Sequence, residues 1–424
     1  MRTLSVFIEI CSEQKYVGAI TGESYSDASF KYDKEYLSSE YAVPISVSLP
    51  LKEEAFSPER TGAFFESLLP EGFSRRAVAN WIKADERDYI TILSALGKEC
   101  LGAIKILEEE TVIPAAYEEL SIDRVRELAA EGATRSTQIL METHLSLAGA
   151  SGKVGLYYDK DNDKWFLPIG DAPSTHIVKQ SHVRYDQIVL NEQLCMLMAE
   201  RICLNVPKSF IINTGKNTDN EVLFVTERFD RLLYEGRIIN NLVSPLRLHQ
   251  EDFAQALGIP SEKKYERDPS GYMKKMFDLL RSNSSDPVED QKELFRRIVF
   301  NYLIGNTDCH IKNYALLYNR DLKGVRLAPA YDILSTMVYD ITTDISFYIG
   351  GQINIRKIDR SSFLLAAEEV NMNSKMAEIL FDDIANSFEY ALNDATEQLV
   401  NEGFSAVKEM RERILKSGGY AMIS

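Results

Sequence analysis

The chain has 424 residues, 45% of them hydrophobic and 26% charged, with a net charge of −16. That length exceeds what a single hydrophobic core usually serves, so two or three domains are expected. No stretch approaches the ~18 uninterrupted apolar residues of a membrane-spanning helix, and the acidic balance argues against this chain wrapping nucleic acid by itself, because phosphate binding is dominated by cationic side chains.

The start, MRTLSVFIEICSEQKYVG, is broken by Glu9 and lacks a small-residue cleavage site, so it reads as an alternating first strand and not as a signal peptide. The five cysteines are odd in number and scattered, without the CxxC or Cys/His spacing of a zinc site. A reduced, cytoplasmic setting is expected. Residues 1–107 carry short strand patterns (LSVFIEI, YAVPISVSLPL, CLGAIKIL) around a helical stretch from Thr61 to Leu96, the mark of a compact β-rich subdomain. Residues 108–135 read as a connector. From 136 to 232 strands and turns alternate, with one amphipathic helix over NEQLCMLMAERICL, where Leu194, Met198, Ile202 and Leu204 recur near helical spacing. From 233 to 424 the pattern is mainly helical, including QEDFAQALG, SGYMKKMFDLLRS and DQKELFRRIVFNYLIG. One hairpin interrupts it, YALLYN and VRLAPAYD joined by the polar turn RDLKG. A strand-rich half followed by a helical half, with polar candidates near the join, predicts an α+β fold with a cleft between two lobes.

The polar string GNTDCHIKN, 305–313, follows a long apolar helical pattern. Asp308 and Asn313 stand five apart, the spacing of the Asp and Asn in the protein-kinase loop H-R-D-x-x-x-x-N. Here His310 follows the aspartate, giving D-x-H-x-x-N. Asp332, after the hairpin, is a further acid able to bind a metal. One Asp near the acceptor, plus Asn and Asp oxygens on Mg²⁺, is the set phosphoryl transfer requires. By itself the string is equally well read as a helix cap and polar turn. Cys309 beside His310 invites a cysteine-nucleophile reading, but sequence neighbours rarely face each other in a dyad.

Upstream, LSLAGASGKVGLYYD at 145–159 places Gly149 and Gly152 between strand-like flanks. The Walker A pattern fails there, since Leu147 stands at its first Gly and Val154 follows Lys153. A Gly-rich turn over phosphates survives, with an ordinary hairpin as its alternative. STHIVKQ then ends a strand in Lys179, as in the kinase V-A-I-K strand, and Glu192 on the next helix is the candidate ion-pair partner. EVLFVTERFDRLL gives a buried strand followed by Glu227, Arg228 and Phe229, where a hinge would offer backbone groups to adenine. Each feature has a plain structural reading; their order is that of a kinase-like phosphotransferase.

These residues resemble the HipA family, serine/threonine kinase toxins of bacterial type II toxin–antitoxin modules. The matching stretches are SLAGASGK, THIVK, NEQLCMLMAERICLNVP, VTERFDR, LHQEDFAQALGIPSEKKYE, LIGNTDCHIKN and PAYDILS, with FKYDKEYL, PISVSLPL and ESLLPEG in the first hundred residues. The likeness runs to about residue 340. It implies a two-lobed protein-kinase-like fold with an added N-terminal subdomain. Asp308 would be the catalytic base, Asn313 and Asp332 the Mg²⁺ ligands, and Lys179 a contact to ATP phosphates. The loop Ala148, Gly149, Ala150, Ser151, Gly152, Lys153 would cover those phosphates, with His310 and Lys312 nearby. It further implies autophosphorylation on Ser146, with Ser151 as a second acceptor, because Ser151-Gly152 departs from the family's usual loop. A small basic helix-turn-helix antitoxin is the implied partner, with DNA reached only through it, and the implied substrate is a protein such as an aminoacyl-tRNA synthetase. The competing readings are a lipid or small-molecule kinase, whose loops share D-x-H-x-x-N, and a catalytically silent kinase-like binding module. No basic amphipathic segment suits an anionic membrane.

Overall fold

The alternation read in the first residues extends through two strands. β1, Arg2–Ile10, and β2, Glu13–Gly22, pair antiparallel across a two-residue turn at Cys11 and Ser12, both with positive φ (50° and 74°). Such a turn usually announces itself by Asn-Gly or Asp-Gly; Cys-Ser carries no such signal, so the sequence shows one strand where there are two. β3, Ser29–Tyr32, and β4, Ile104–Leu107, complete a four-stranded sheet in the order β3-β2-β1-β4. Leu4, Val6 and Ile8 of β1 are fully buried on its inner face, as period-two alternation requires. YAVPISVSLPL, expected as a strand, is instead a turn-rich connection with a single bridge between Ser46 and Leu49. Pro44 and Pro50 remove ladder donors, and its backbone groups go to side chains: Ile45 N–H donates to Tyr32 Oη (3.0 Å), and Tyr32 Oη donates to the Leu49 carbonyl (2.6 Å).

A computed structural model describes residues 2–97, 100–108, 114–130, 153–181, 185–213 and 221–423. Its α+β elements fall into two units, each contributed by three stretches of chain. The first is Met1–Val183, Val225–Ser261 and Leu316–Val325; the second is Arg184–Phe224, Glu262–Ala315 and Arg326–Ser424.

In the first unit a second antiparallel set runs β5-β7-β6-β8, comprising β5 Ala116–Leu120, β6 Lys153–Asp159, β7 Lys164–Ile169 and β8 His176–Gln180. Ala116–Leu120, within the stretch read as a connector, is thus a strand. Residues 231–252, read as mainly helical, are a run of short strands ending in Gln250–Asp252. Only Phe253–Leu257 of QEDFAQALG is helix, started by a capping box between Asp252 and Gln255. The polar hairpin turn closes as expected, with Asn319 N–H on the Gly324 carbonyl (2.9 Å) and Gly324 N–H on Asn319 Oδ1 (3.0 Å).

Buried charges tie these pieces together. Glu9, on β1, is 5% exposed and pairs with Arg237 (3.2 Å). Asp230 accepts from Arg228 Nη2 (2.7 Å), Gly102 N–H (2.7 Å) and Gln250 Nε2 (3.0 Å), with Arg231 at 3.1 Å. Burial alone would raise its pKa; the two guanidiniums and these donors hold it well below the usual carboxylate range instead. Glu251 accepts from Val47 N–H (3.0 Å), Ser46 Oγ and Tyr318 Oη. No cation faces it among these partners, and burial pushes its carboxyl up to about 7.

The second unit is built on the helix Pro287–Ile304, started by Pro287 in its first turn. From Arg297 to Ile304 every residue is buried, and Phe295, Ile298, Val299, Phe300, Tyr302 and Leu303 are fully so, which makes it a central helix. Phe363, from the helix Arg360–Glu369, stacks its edge against Phe295 (centroids 6.0 Å) and lies 5.2 Å from both Tyr302 and Phe381. Among the described residues no helix is long and apolar enough to cross a membrane.

Glu251 generates a testable pH dependence. A carboxyl whose folded value is raised stabilises the fold fully below its unfolded value of 4.5, and that contribution is lost as pH rises through about 7. Glu251→Gln can keep the bonds from Val47 N–H and Tyr318 Oη on its amide oxygen and donate to Ser46 Oγ from its nitrogen, but cannot ionise. Urea unfolding between pH 5 and about 8 is expected to show a smaller loss of stability in this variant than in the parent; identical slopes would contradict the assignment.

Candidate active site

The helix Pro287–Ile304 stops at Gly305, whose φ of 73° is left-handed and whose N–H caps the Asn301 and Tyr302 carbonyls. A Cβ there would lie 2.9 Å from Met337 Cβ and 3.0 Å from Gly418 Cα, so the position needs glycine for space as well as conformation. The next residues are immobilised one by one. Asn306 Nδ2 donates to Asn301 Oδ1 (2.8 Å), and Asn306 Oδ1 receives Asp308 N–H (3.1 Å). Thr307 N–H donates to Thr336 Oγ1 (2.7 Å), and the Thr307 carbonyl receives Ser346 Oγ (2.8 Å). His310 N–H and Asn313 Nδ2 both donate to the Asp308 carbonyl, at 2.8 and 2.9 Å.

The polar density of GNTDCHIKN therefore serves mainly to fix its own backbone. From Gly305 to Lys312 every residue is buried except Asp308, which is exposed. His310 and Lys312 are 6% and 7% exposed. Cys309 is buried, and burial followed by repulsion from Asp308 pushes its thiol up to about 12. A thiol so hard to ionise is no nucleophile at neutral pH, which removes the cysteine reading.

Asp332 follows on a loop that the string GNTDCHIKN holds directly. Tyr331 Oη donates to the Lys312 carbonyl (2.8 Å), and the Thr336 and Met337 N–H groups donate to the Gly305 carbonyl, at 3.1 and 3.0 Å. Asp332 itself has φ of 52°, a left-handed conformation uncommon for a non-glycine residue and sustained by its surroundings. The far end of this loop is anchored by Asn191 on the helix Ile188–Arg201. Its Nδ2 donates to the Ser335 carbonyl (2.8 Å), and its Oδ1 receives Ser335 N–H (3.0 Å). Glu192, one residue on, is buried at 7% exposure in the same unit.

The remaining candidates lie in the first unit. Lys179 on β8 stands directly opposite Lys153 on β6, both on one face of the antiparallel pair. Glu227 and Phe229 are half-buried. Arg228 is a buried structural arginine: its guanidinium holds Asp230 and donates to Ser174 Oγ (3.0 Å), and its N–H donates to the Thr175 carbonyl (2.9 Å). Of the backbone groups assigned to adenine, that donor is thus engaged within the unit. Ser146, Ala148, Gly149, Ala150, Ser151 and Gly152 lie outside the described residues.

Among the described residues no three His, Cys, Asp or Glu side chains cluster as a metal cage. A magnesium ion held with nucleotide phosphates needs fewer protein ligands. The donor types fit it, since the Asn313 amide spends its nitrogen on the Asp308 carbonyl and so turns its oxygen away as a ligand, and Asp332 offers a carboxylate. Sequence reasoning missed Asn191, Thr336 and Tyr265. Tyr265 Oη donates to Asp308 Oδ1, and its ring meets His310 edge-on at 5.2 Å. None of the three has a local signal, because each acts on a residue far away in the chain.

The HipA-like C-terminal domain matches residues 145–392 and the HipA N-terminal domain residues 8–107. A putative kinase of Sinorhizobium fredii, Y4mE, is 30% identical over 91% of this chain and 92% of its own length. The serine/threonine-protein kinase toxin HipA of Shewanella oneidensis is 28% identical over 76% of this chain and 74% of its own. A solved Shewanella oneidensis complex of HipA, HipB and operator DNA contains a chain of the same fold, with TM-score 0.79, 21% identity, and coverage of 99% of this chain and 97% of that one.

The Asn191 anchor can be tested by stability. Asn191→Ala strands a buried N–H and a buried carbonyl at Ser335, an expected cost of about 2–4 kcal/mol. Thermal unfolding of the variant should show a clearly lowered midpoint, and an unchanged midpoint would show that the loop is held without it.

Proposed function

The chain belongs to the HipA family, and on that premise we propose that it is an ATP- and Mg²⁺-dependent serine/threonine protein kinase acting as the toxin of a toxin–antitoxin module. The observation that carries the reading is the lone exposure of Asp308 on an otherwise buried, hydrogen-bonded loop. A carboxylate presented this way is suited to orient an incoming hydroxyl and accept its proton. The acceptor oxygen attacks the γ-phosphorus, the bond to the β–γ bridging oxygen breaks, the hydroxyl proton passes to Asp308, and ADP leaves. Positioning and electrostatics carry the catalysis, with no covalent enzyme intermediate.

Asn313 and Asp332 are the side chains assigned to Mg²⁺, which when bound supplies positive charge to the phosphate oxygens. Lys153 and Lys179, directly opposite each other on one face of the antiparallel pair, are assigned to the nucleotide phosphates. His310 and Lys312 are placed near the phosphates, Glu192 as the ion-pair partner of the strand lysine, and the backbone at Glu227 and Phe229 against adenine. Ser146, with Ser151 as the second acceptor, is the proposed autophosphorylation site. A phosphoserine adds roughly −1.5 to −2 charge beside the site for an anionic nucleotide, which would silence the enzyme.

The protein substrate is assigned to the translation machinery, an aminoacyl-tRNA synthetase being the type, so that phosphorylation halts growth. The net charge of −16 suits a small basic helix-turn-helix antitoxin, through which DNA would be reached. A cytoplasmic location belongs to the same reading.

The test is intact mass with phosphopeptide mapping, before and after Mg-ATP, on the purified chain and its Asp308→Asn variant. Phosphate on Ser146 or Ser151 is expected in the parent, and the variant should transfer it at least about 10²-fold more slowly. An equally active variant would remove Asp308 from its role. Transfer from Mg-ATP to lipid or small-molecule acceptors alone would favour the lipid or small-molecule kinase, and absence of nucleotide binding the silent binding module. Asp332→Ala is expected to weaken nucleotide binding in the presence of Mg²⁺ in calorimetry; unchanged affinity would argue against metal ligation there.

A further inference from the structure

The proposed reaction leaves unexplained a tyrosine seated on the catalytic carboxylate. Tyr265 lies 43 residues before Asp308, and its phenol donates to Asp308 Oδ1. Its ring stands nearly perpendicular to the His310 ring (80°), and Lys264 Nζ lies 5.4 Å from its centroid. A carboxylate offers two oxygens and about four lone-pair sites. One phenol on Oδ1 takes one of those sites and restrains the orientation of the group.

Two opposite roles fit a phenol at this place. As a gate, it would hold the position of the acceptor hydroxyl and swing away when substrate arrives. As a support, it would stay and orient the carboxylate. The flanking residue decides between them. Glu266, beside Tyr265, is 2% exposed and accepts four hydrogen bonds: from Ser270 N–H (2.6 Å), Ser270 Oγ (3.0 Å), Tyr272 N–H (3.1 Å) and Tyr348 N–H (3.0 Å). Glu266 N–H donates in turn to the Ser346 carbonyl (2.9 Å), and Tyr272 Oη donates to the Lys263 carbonyl (2.7 Å). Ser346 is also the residue whose hydroxyl holds Thr307, next to Asp308. One strand residue thus clamps both the segment carrying Tyr265 and the loop carrying Asp308. A segment stapled by a satisfied buried carboxylate is costly to move, so the Tyr265 backbone stays in place, and the edge-on contact of its ring with the buried His310 ring (5.2 Å) holds the side chain over Asp308.

We propose that Tyr265 is the positioning residue of Asp308, its phenol holding the carboxylate in the orientation that receives the acceptor hydroxyl, with Glu266 and Ser346 as the clamp that sets the phenol in place. The inference rests on the kinase reading above. It acts through Asp308, so it predicts an effect on turnover and none on nucleotide binding.

The experiment is ADP release and phosphate incorporation by the purified full chain at varied Mg-ATP, for the parent, Tyr265→Phe, Asp308→Asn and the double variant. Tyr265 is 40% exposed, so the ring of Phe fits its place and the thermal midpoint should be kept. Tyr265→Phe is expected to lower the saturated rate about 10- to 100-fold, the scale of a misplaced catalytic group, with the half-saturating ATP concentration unchanged. In the Asp308→Asn background it should add nothing, because residues acting as a unit are not additive. A merely structural tyrosine would lower both backgrounds alike. An active parent with an equally active Tyr265→Phe overturns this inference alone. So does a faster variant, which would make Tyr265 a gate, and so does phosphate found on Tyr265 itself, which would make it an acceptor. A parent that turns over no Mg-ATP overturns the kinase reading, and this inference falls with it.

Discussion

The carbonyl of Gly305 is where the second unit's chemistry is held together. It receives the N–H groups of Thr336 and Met337 and the Thr336 hydroxyl, all between 3.0 and 3.1 Å. The left-handed turn at Gly305 both ends the central helix and aims this carbonyl at the segment that follows Asp332. Because Thr336 Oγ1 also accepts Thr307 N–H, one threonine side chain bridges the two loops whose acids are assigned to catalysis and to metal. Apart from the single 3-10 turn Ile311–Asn313, neither loop has regular secondary structure to satisfy its own backbone, so these long-range bonds take over what a ladder would otherwise do.

A similar economy governs the first unit, with charge in place of backbone. Asp230 gathers Arg228, Arg231, Gln250 and the Gly102 N–H into one buried cluster, so that the strand exit after Val222–Glu227 is fixed against the turn before β4. Breaking such a set is costlier than its formation is favourable, since a lone buried guanidinium has no compensation. The Glu-Arg-Phe-Asp-Arg string thus reads as a scaffold for the backbone around it, and Arg228 in particular acts through its side chain far more than through any exposed surface. Glu251 is the contrasting case, a carboxyl surrounded by neutral donors and left near neutrality by burial.

Much of this was legible in the residues. LSVFIEI and the IKIL end of CLGAIKIL are strands, the helix over 191–204 is present as Ile188–Arg201, and the hairpin turn before Val325 closes as its Gly324 implies. The failures have physical causes. YAVPISVSLPL has strand composition, but two prolines and long-range hydrogen bonds keep it irregular. The second strand of the first hairpin was hidden because its turn residues, Cys11 and Ser12, adopt positive φ without being Asn or Gly. The short strands between 231 and 252 are two or three residues each, too brief for any periodicity to register.

The sequence by itself determined the kind of chemistry and its order along the chain: a lysine ending a strand, an aspartate and asparagine five apart after an apolar helix, and a further aspartate beyond a hairpin. Those are local patterns, and local patterns survive in a string of letters. Only the tertiary structure decided which member of GNTDCHIKN faces solvent, that Lys153 stands opposite Lys179, and that Tyr265 and Asn191 support residues 43 and 144 positions away. Such partners are chosen by where the packed core places two distant backbones, and hydrogen bonds across that separation leave no periodic trace in the residues that make them.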